Sequence, residues 1–150
     1  MRRKIRRRSA FTLIEVLLVA GILAVLAAFA IPSLMGTATK AKIDLAKAAI
    51  GPNGPIAKAL DSYKWDMGQY PDTDEGIAAL FQSKNQVDDE RYNGPYVKND
   101  KITDPWNNPF EYRAPGEFHE DGFDLWSRGP DGKDDGGKEG SDDIKNWIER

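Results

Sequence analysis

The stretch RRRSAFTLIEVLLVAGILAVLAAFAIPSL, Arg6 to Leu34, sets three arginines against an apolar run whose single ionisable group is Glu15. From Val16 to Ile31 every residue is apolar or glycine. Roughly 20 residues of helix span the ~30 Å hydrocarbon layer, so Phe11 to Leu34 is long enough to cross a bilayer. The basic head then stays in the cytoplasm and the remainder lies on the far side, by the positive-inside rule. A cleaved secretory signal ending at Ala28, Phe29 and Ala30, an A-x-A-like site, is the rival reading. Glu15 speaks against it, because a carboxylate near the start of such a segment costs about 2–3 kcal/mol on insertion scales.

The helical pattern also continues past Pro32. In SLMGTATKAKIDLAKAAI, Leu34, Ala38, Ala41 and Leu45 recur at helical spacing, while Lys40, Lys42, Asp44 and Lys47 fall mostly elsewhere. One long helix is expected from about Phe11 to Ile50, kinked at Pro32. At 1.5 Å per residue such a helix reaches ~60 Å. If the basic head is removed just before Phe11, the new α-amino group is a cation at the tip of a membrane helix. Glu15 of a neighbouring copy could neutralise it, a buried charge needing such a partner. The alternative is that Glu15 snorkels to the headgroups.

Charge is distributed unevenly. The formal net charge is -3, yet the first ten residues hold six basic side chains and no acid; without them 15 basic groups face 24 acidic ones. An acidic body argues against a nucleic-acid partner, since a phosphate backbone requires a basic face. The chain has no cysteine, which excludes disulfides and thiolate metal sites.

In AIGPNGPIAKAL, Ala49 to Leu60, two glycines and two prolines break the long helix, leaving either a mobile elbow or a tight, ordered turn. A second helix starts near Pro55, with Ile56, Ala59, Leu60 and Tyr63 as its apolar stripe. GQYPDTDEGIAALFQS reads as a turn and a short helix capped by Thr73 or Asp74, with Ile77, Leu80 and Phe81 in the core. Two short strands are expected at Phe110 to Arg113 and Phe123 to Trp126, each alternating apolar residues. An antiparallel pair packed against the second half of the long helix makes an α+β domain.

Between Arg128 and Asp143 lie six acids and five glycines, a run that cannot fold on apolar burial. It is either a disordered acidic loop or a loop ordered by a hard cation such as calcium, which takes six to eight oxygens. It is not an EF-hand, because Lys133 occupies a position where that motif needs an oxygen. The return through DDIKNW brings Ile144 and Trp147, both apolar, back toward the core and would pin the loop's ends.

Catalysis finds no support. His119, the only histidine, sits among acids in GEFHED; no nucleophile elbow, P-loop or zinc-spaced histidine pair occurs. The abundant carboxylates occupy a Gly-rich loop rather than rigid elements.

The string SAFTLIEVLLVAGILAVLAAFAIPSL closely resembles the N-terminus of type IV pilins and type II secretion pseudopilins. ALDSYKWDMGQYPDTDEGIAAL, NGPYVKNDKITDPWNNPFEYRAPGE and FDLWSRGPDGKDDGGKEGSDDIKNW are similar, in order and spacing, to the major pseudopilins of type II secretion, the general secretion pathway protein G family. The resemblance implies cleavage by a prepilin peptidase between Ala10 and Phe11, N-methylation of Phe11, and a subunit-pairing role for Glu15. Ala10 departs from the family's usual glycine, and the Gly51 to Pro55 region from its usual continuous helix. The resemblance further implies one structural calcium, with ligand roles for Asp131 and Asp143, and then Asp142 and the backbone carbonyl of Arg128.

The organisation implied is a cleaved leader (1–10), a transmembrane and filament-core helix (11–34) and a periplasmic globular domain (35–150). The protein is then a single-pass subunit of the bacterial inner membrane, embedded in lipid before it assembles as a homo-oligomer into a helical filament. Its further partners are minor pseudopilins, the inner-membrane assembly platform and the prepilin peptidase. Other readings are a secreted soluble calcium-binding module and a type IV pilus or competence pilin.

Overall fold

The structure, a computed structural model, describes residues 11–98 and 102–148. The leader, including Ala10 on the upstream side of the expected cleavage, lies outside the described residues. The chain divides into two units, residues 1–38 and 39–150. Helix α1, Leu13–Ile50, is unbroken through Pro32. In the first unit every described side chain from Phe11 to Phe29 is exposed. Among the described residues no helix is long and apolar enough to cross a membrane. The described apolar side chains of α1 from Leu13 to Phe29 cover 17 positions, ~26 Å of rise against a ~30 Å hydrocarbon layer.

In the second unit the break after α1 is a tight, ordered turn and not an elbow. The Gly51 N–H donates to the Lys47 carbonyl at 2.9 Å, and the Gly54 N–H to the Gly51 carbonyl at 2.7 Å. A Cβ on Gly54 would stand 2.2 Å from the Ala49 carbonyl oxygen and 2.7 Å from that of Ala48, so only glycine fits. Helix α2, Pro55–Met67, follows with proline in its first turn and ends on Gly68 at φ 84°, whose N–H closes on the Lys64 carbonyl.

The expected stripe on α2 is buried as Ile56, Ala59, Leu60 and Tyr63. It meets Ala46 and Ile50 from the end of α1, Ala79 and Leu80 from a 3-10 turn at Gly76–Phe81, and Tyr92, Tyr112, Leu125 and Ile144 beyond. Phe81, expected in the core, is only half-buried and lies outside this cluster. The 3-10 turn carries no side-chain cap. Thr73, expected to cap it, instead uses its hydroxyl to clamp Ala114, donating to the carbonyl at 3.0 Å and accepting from the N–H at 3.1 Å.

Strands β1 (Glu111–Arg113), β2 (Asp124–Ser127) and β3 (Ile144–Lys145) form an antiparallel sheet in that order. Tyr112 pairs with Leu125, so the two alternating patterns face one core. The third strand was not expected, two residues being too few to carry a periodicity. The architecture is α+β, as read from the sequence.

Gly54→Ala is expected to destabilise the second unit by about 2–3 kcal/mol, because backbone oxygens must move. Gly51→Ala, whose Cβ meets only the Lys47 carbonyl at 3.1 Å, should cost under about 1 kcal/mol. Denaturant unfolding of the full chain in detergent checks the ordering.

Candidate functional site

Two regions hold the residues singled out by the sequence, one in each unit. In the first, Glu15 sits in the opening turn of α1. Its N–H donates to the Thr12 carbonyl at 3.1 Å and lies 3.4 Å from the Thr12 hydroxyl oxygen. Thr12 and Glu15 thus have the spacing of a capping box, a signal present in the sequence and overlooked there. A carboxylate in the first turn is favoured by the helix dipole by about 0.3–1 kcal/mol. The helix end therefore tolerates a charge that the apolar run alone would reject. Phe11, just ahead of the helix, is 79% exposed.

In the second unit the acid-rich segment leaves β2 at Ser127 and returns as β3. It is an ordered loop, held at several points by hydrogen bonds from its own backbone. Asp143 is buried, and its Oδ2 accepts the N–H groups of Gly137 at 2.8 Å and Asp135 at 3.2 Å. The Gly137 carbonyl accepts the Lys145 ammonium at 2.9 Å. Gly137 has φ 66°, and a Cβ there would lie 2.3 Å from the Trp147 ring, so glycine is required twice over. Asp134, not among the expected ligands, accepts the Trp126 indole N–H at 2.9 Å and the Gly136 N–H at 2.9 Å. Ile144 and Trp147 are buried as expected.

Of the expected metal ligands, Asp131 and Asp142 adjoin each other, and the three aspartates are each engaged within the loop. Asp131 accepts the Lys133 N–H at 2.8 Å on one oxygen and faces the Lys133 ammonium at 3.1 Å on the other. Asp142 accepts the Asp131 N–H at 3.0 Å. Asp143 is engaged separately, because successive side chains entering a strand point to opposite sides. The Arg128 side chain, as distinct from the carbonyl expected as a ligand, pairs its guanidinium with Glu111 at 2.6 Å. Among the described residues no group of three or more His, Cys, Asp or Glu side chains converges on a metal position.

One observation nevertheless fits a cation. Asp143 Oδ1 is buried with no hydrogen-bond partner, one of two such side-chain atoms among the described residues, the other being Trp147 Nε1. Burial, first, and then the Asp134 and Asp135 charges push the Asp143 carboxyl above the usual carboxylate range, against the pull of its two backbone donors. A buried, under-compensated carboxylate oxygen is the deficit that a hard cation fills.

Around the loop, the residues that fix the frame were missed by sequence reasoning. Asp104 is buried; its Oδ1 accepts the N–H groups of Trp106 and Asn108 at 2.9 and 2.8 Å, and its Oδ2 accepts the Ser127 hydroxyl at 2.7 Å. Asp104 precedes Pro105, a turn signal in the sequence, and its Oδ1 bonds are the Asx-type bonds that come with such a turn. Asp124 accepts the N–H groups of Glu117 and Phe118 and contacts His119 Nδ1 at 3.0 Å. His119 is thus tied to a structural carboxylate. Asn146 extends the sheet with its side chain, accepting the Leu125 N–H at 2.9 Å and donating to the Phe123 carbonyl at 3.3 Å.

Comparison with known proteins covers both regions. The family model for type II secretion system protein G matches residues 33–147, and that for the prokaryotic N-terminal methylation motif matches residues 5–31. A type II secretion system core protein G from Pseudomonas aeruginosa is 42% identical, with 95% of this chain and 96% of the relative covered. Its counterpart in Aeromonas hydrophila is 40% identical, covering 95% and 94%, and that of Escherichia coli K12 is 38% identical, covering 94% and 92%. Among solved structures, the major pseudopilin from the type 2 secretion system of enterohaemorrhagic Escherichia coli superposes with a TM-score of 0.60. It is 29% identical and covers 76% of this chain and 89% of that one.

The Asp143 environment gives a signed pH dependence. A raised folded pKa means that the folded state holds the proton more tightly, so this group's contribution falls as pH rises from the unfolded carboxylate range through the folded pKa. In chelator at neutral pH, Asp143→Asn is therefore expected to melt no lower than the parent, with its advantage fading toward pH 4. Thermal melts across that range check the direction.

Proposed function

The chain belongs to the type II secretion system protein G family, and on that premise we propose that it is the major subunit of a periplasmic pseudopilus that helps export folded proteins across the outer membrane. It is a structural subunit and not an enzyme. The observation that carries the reading is the apolar surface of Phe11 to Phe29, exposed along its whole described length and interrupted by one carboxylate. Such a surface calls for lipid before assembly and for like helices after it. The family match does not favour a secreted calcium module or a type IV pilus or competence pilin.

The methylation motif supports processing ahead of Phe11. Removal of residues 1–10 creates an ammonium at Phe11 about one turn from Glu15, and methylation keeps that charge. In a bundle of like helices the Glu15 carboxylate of one copy neutralises the Phe11 amine of the next, so neither charge is buried alone. The exposed Phe11 to Phe29 surface supports this packing, and Thr12 supports the placement of Glu15 at the helix tip. Before assembly the segment Phe11 to Leu34 spans the inner membrane once, basic head inward, with the second unit in the periplasm. Minor pseudopilins, the assembly platform and the prepilin peptidase are the partners that this reading requires.

The same proposal assigns a structural calcium to the Arg128 to Asp143 loop. Asp143 would hold it through the oxygen that lacks a partner, joined by Asp131, Asp142 and the Arg128 carbonyl after their present bonds are exchanged. Bound there, the ion would neutralise the loop's excess of carboxylates.

Mass analysis of the membrane-extracted chain should show an N-terminus at methylated Phe11; one at Ile31 would sink the filament reading. Glu15→Ala should insert and be cleaved normally, yet yield no pelletable filaments, whereas filaments at parental yield would remove the pairing. For the ion, Asp143→Ala should lower the melting temperature in calcium by several degrees, a ligand-linked loss, and the parent should lose as much on chelation. Equal melting of mutant and parent in calcium would remove the site.

A further inference from the structure

A groove in the second unit is floored by apolar side chains and rimmed by acids. Phe118 stacks on Trp147 with ring centroids 4.6 Å apart and planes 10° from parallel, and Trp147 and the neighbouring Ile148 share the groove. Phe118 stays 47% exposed and Ile148 92% exposed, although the other side of Trp147 is buried against Trp126. Glu120, Asp121 and Glu139 line the same groove, all exposed and without an ion-pair partner among the described residues. Glu117, also on the rim, is already paired with Arg113.

The same unit presents a surface of opposite character on the last turns of α1. Ala46 and Ile50 face the core, which leaves Ala41, Leu45 and Ala48 as an exposed stripe at helical spacing, with Leu45 63% exposed. Lys40 and Lys47, seven residues apart, flank that stripe on one side; both are exposed and neither has an ion pair among the described residues. Asp44 lies between them on the same face and is the one acid there. Small residues beside a leucine allow close approach, and the two ammonium groups match the acids of the groove rim.

We infer that the groove of Phe118, Trp147 and Ile148 receives the Lys40 to Ala48 face of a second copy of this chain. Glu120 and Asp121 meet Lys40 and Lys47, while Leu45 covers Phe118 and Ile148. The two surfaces are different patches of one chain, so the contact is heterologous and repeats as an open helix rather than closing as a dimer. This rests on the filament reading and adds to it the surface that would join one periplasmic unit to the next. The apolar floor supplies the buried centre and the charges set register on its rim.

The chain's lack of cysteine allows a clean test in filaments of the full-length, processed protein. Lys47→Cys and Glu120→Cys in one chain should give, on mild oxidation, a ladder of dimers, trimers and longer species. Each single variant should stay monomeric, and a mixture of the two singles should stop at the dimer. Filaments of parental abundance in which the double variant gives no intermolecular bond would overturn the interface and leave the filament reading standing. Self-crosslinking of either single variant would also overturn it, by showing an isologous contact. As a second measure, Lys40→Glu with Lys47→Glu should cut filament yield by about fivefold to tenfold, the equivalent of two exposed ion pairs. Adding Glu120→Lys and Asp121→Lys should restore most of that yield; a quadruple variant no better than the double reversal counts against the pairing. Failure of the parent itself to form filaments would remove both this inference and the reading beneath it.

Discussion

The carbonyl oxygens of Ala48 and Ala49 approach Gly54 so closely that no side chain can stand there. That contact ends α1 at Ile50 and starts α2 at Pro55 within four residues. Because the turn is tight, the Ile56, Leu60 and Tyr63 stripe of α2 shares one core with Ala46 and Ile50 of α1. The sheet then has an apolar surface to cover, through Tyr112, Leu125 and Ile144. The acid loop in turn hangs between two strands of that sheet, with Ile144 and Trp147 buried at its return. A backbone contact without a side chain thus sets the position of the most charged segment of the molecule.

How far the sequence disclosed this depended on the kind of signal. Long periodic patterns were legible as elements: α1 and α2 run where the helical spacing put them, and Tyr112 and Leu125 of β1 and β2 are buried, but the Ala41 and Leu45 stripe of α1 is exposed and Ala46 and Ile50 face the core instead. Asp104, Asp124 and Asn146 were not, because a carboxylate or amide that satisfies backbone N–H groups has the same composition signature as a solvated one. Thr73 shows the same ambiguity, its hydroxyl being used across 41 residues of chain rather than on its own turn. Glu15 was legible as an anomaly, and the Thr12 spacing that explains its tolerance at a helix start lay beside it in the sequence. The candidate metal loop divides likewise. Its acids and glycines were plain, but which carboxylate turns inward depends on the strand parity of Asp142 and Asp143, fixed only once β3 pairs with β2.

The two units use charge in opposite ways. In the first, one carboxylate stands in an apolar surface and has value because it is alone; a second would only add desolvation cost. In the second, acids outnumber bases along the loop, and stability depends on dividing them among backbone donors, lysines and indole N–H groups. Asp143 receives two of those donors and still keeps one oxygen without a partner.

That remaining oxygen bears on why the segment is ordered at all. Five glycines and six acids would ordinarily favour an open chain. All five glycines adopt positive φ, and three of them, Gly129, Gly136 and Gly137, do so beside the Asp142 backbone, the Asp134 carboxylate and the Trp147 ring respectively. Their conformational freedom is what lets backbone N–H groups turn toward Asp134 and Asp143, so the residues that make the loop costly to order also supply its donors. The supply falls one short at Asp143 Oδ1. A neutral acid there would lack an acceptor for its proton, and an ionised one leaves Oδ1 without a donor. The cation proposed above, bound only to the folded loop, would remove both deficits and would couple the ordering of this surface to the ion content of the compartment in which the subunits assemble.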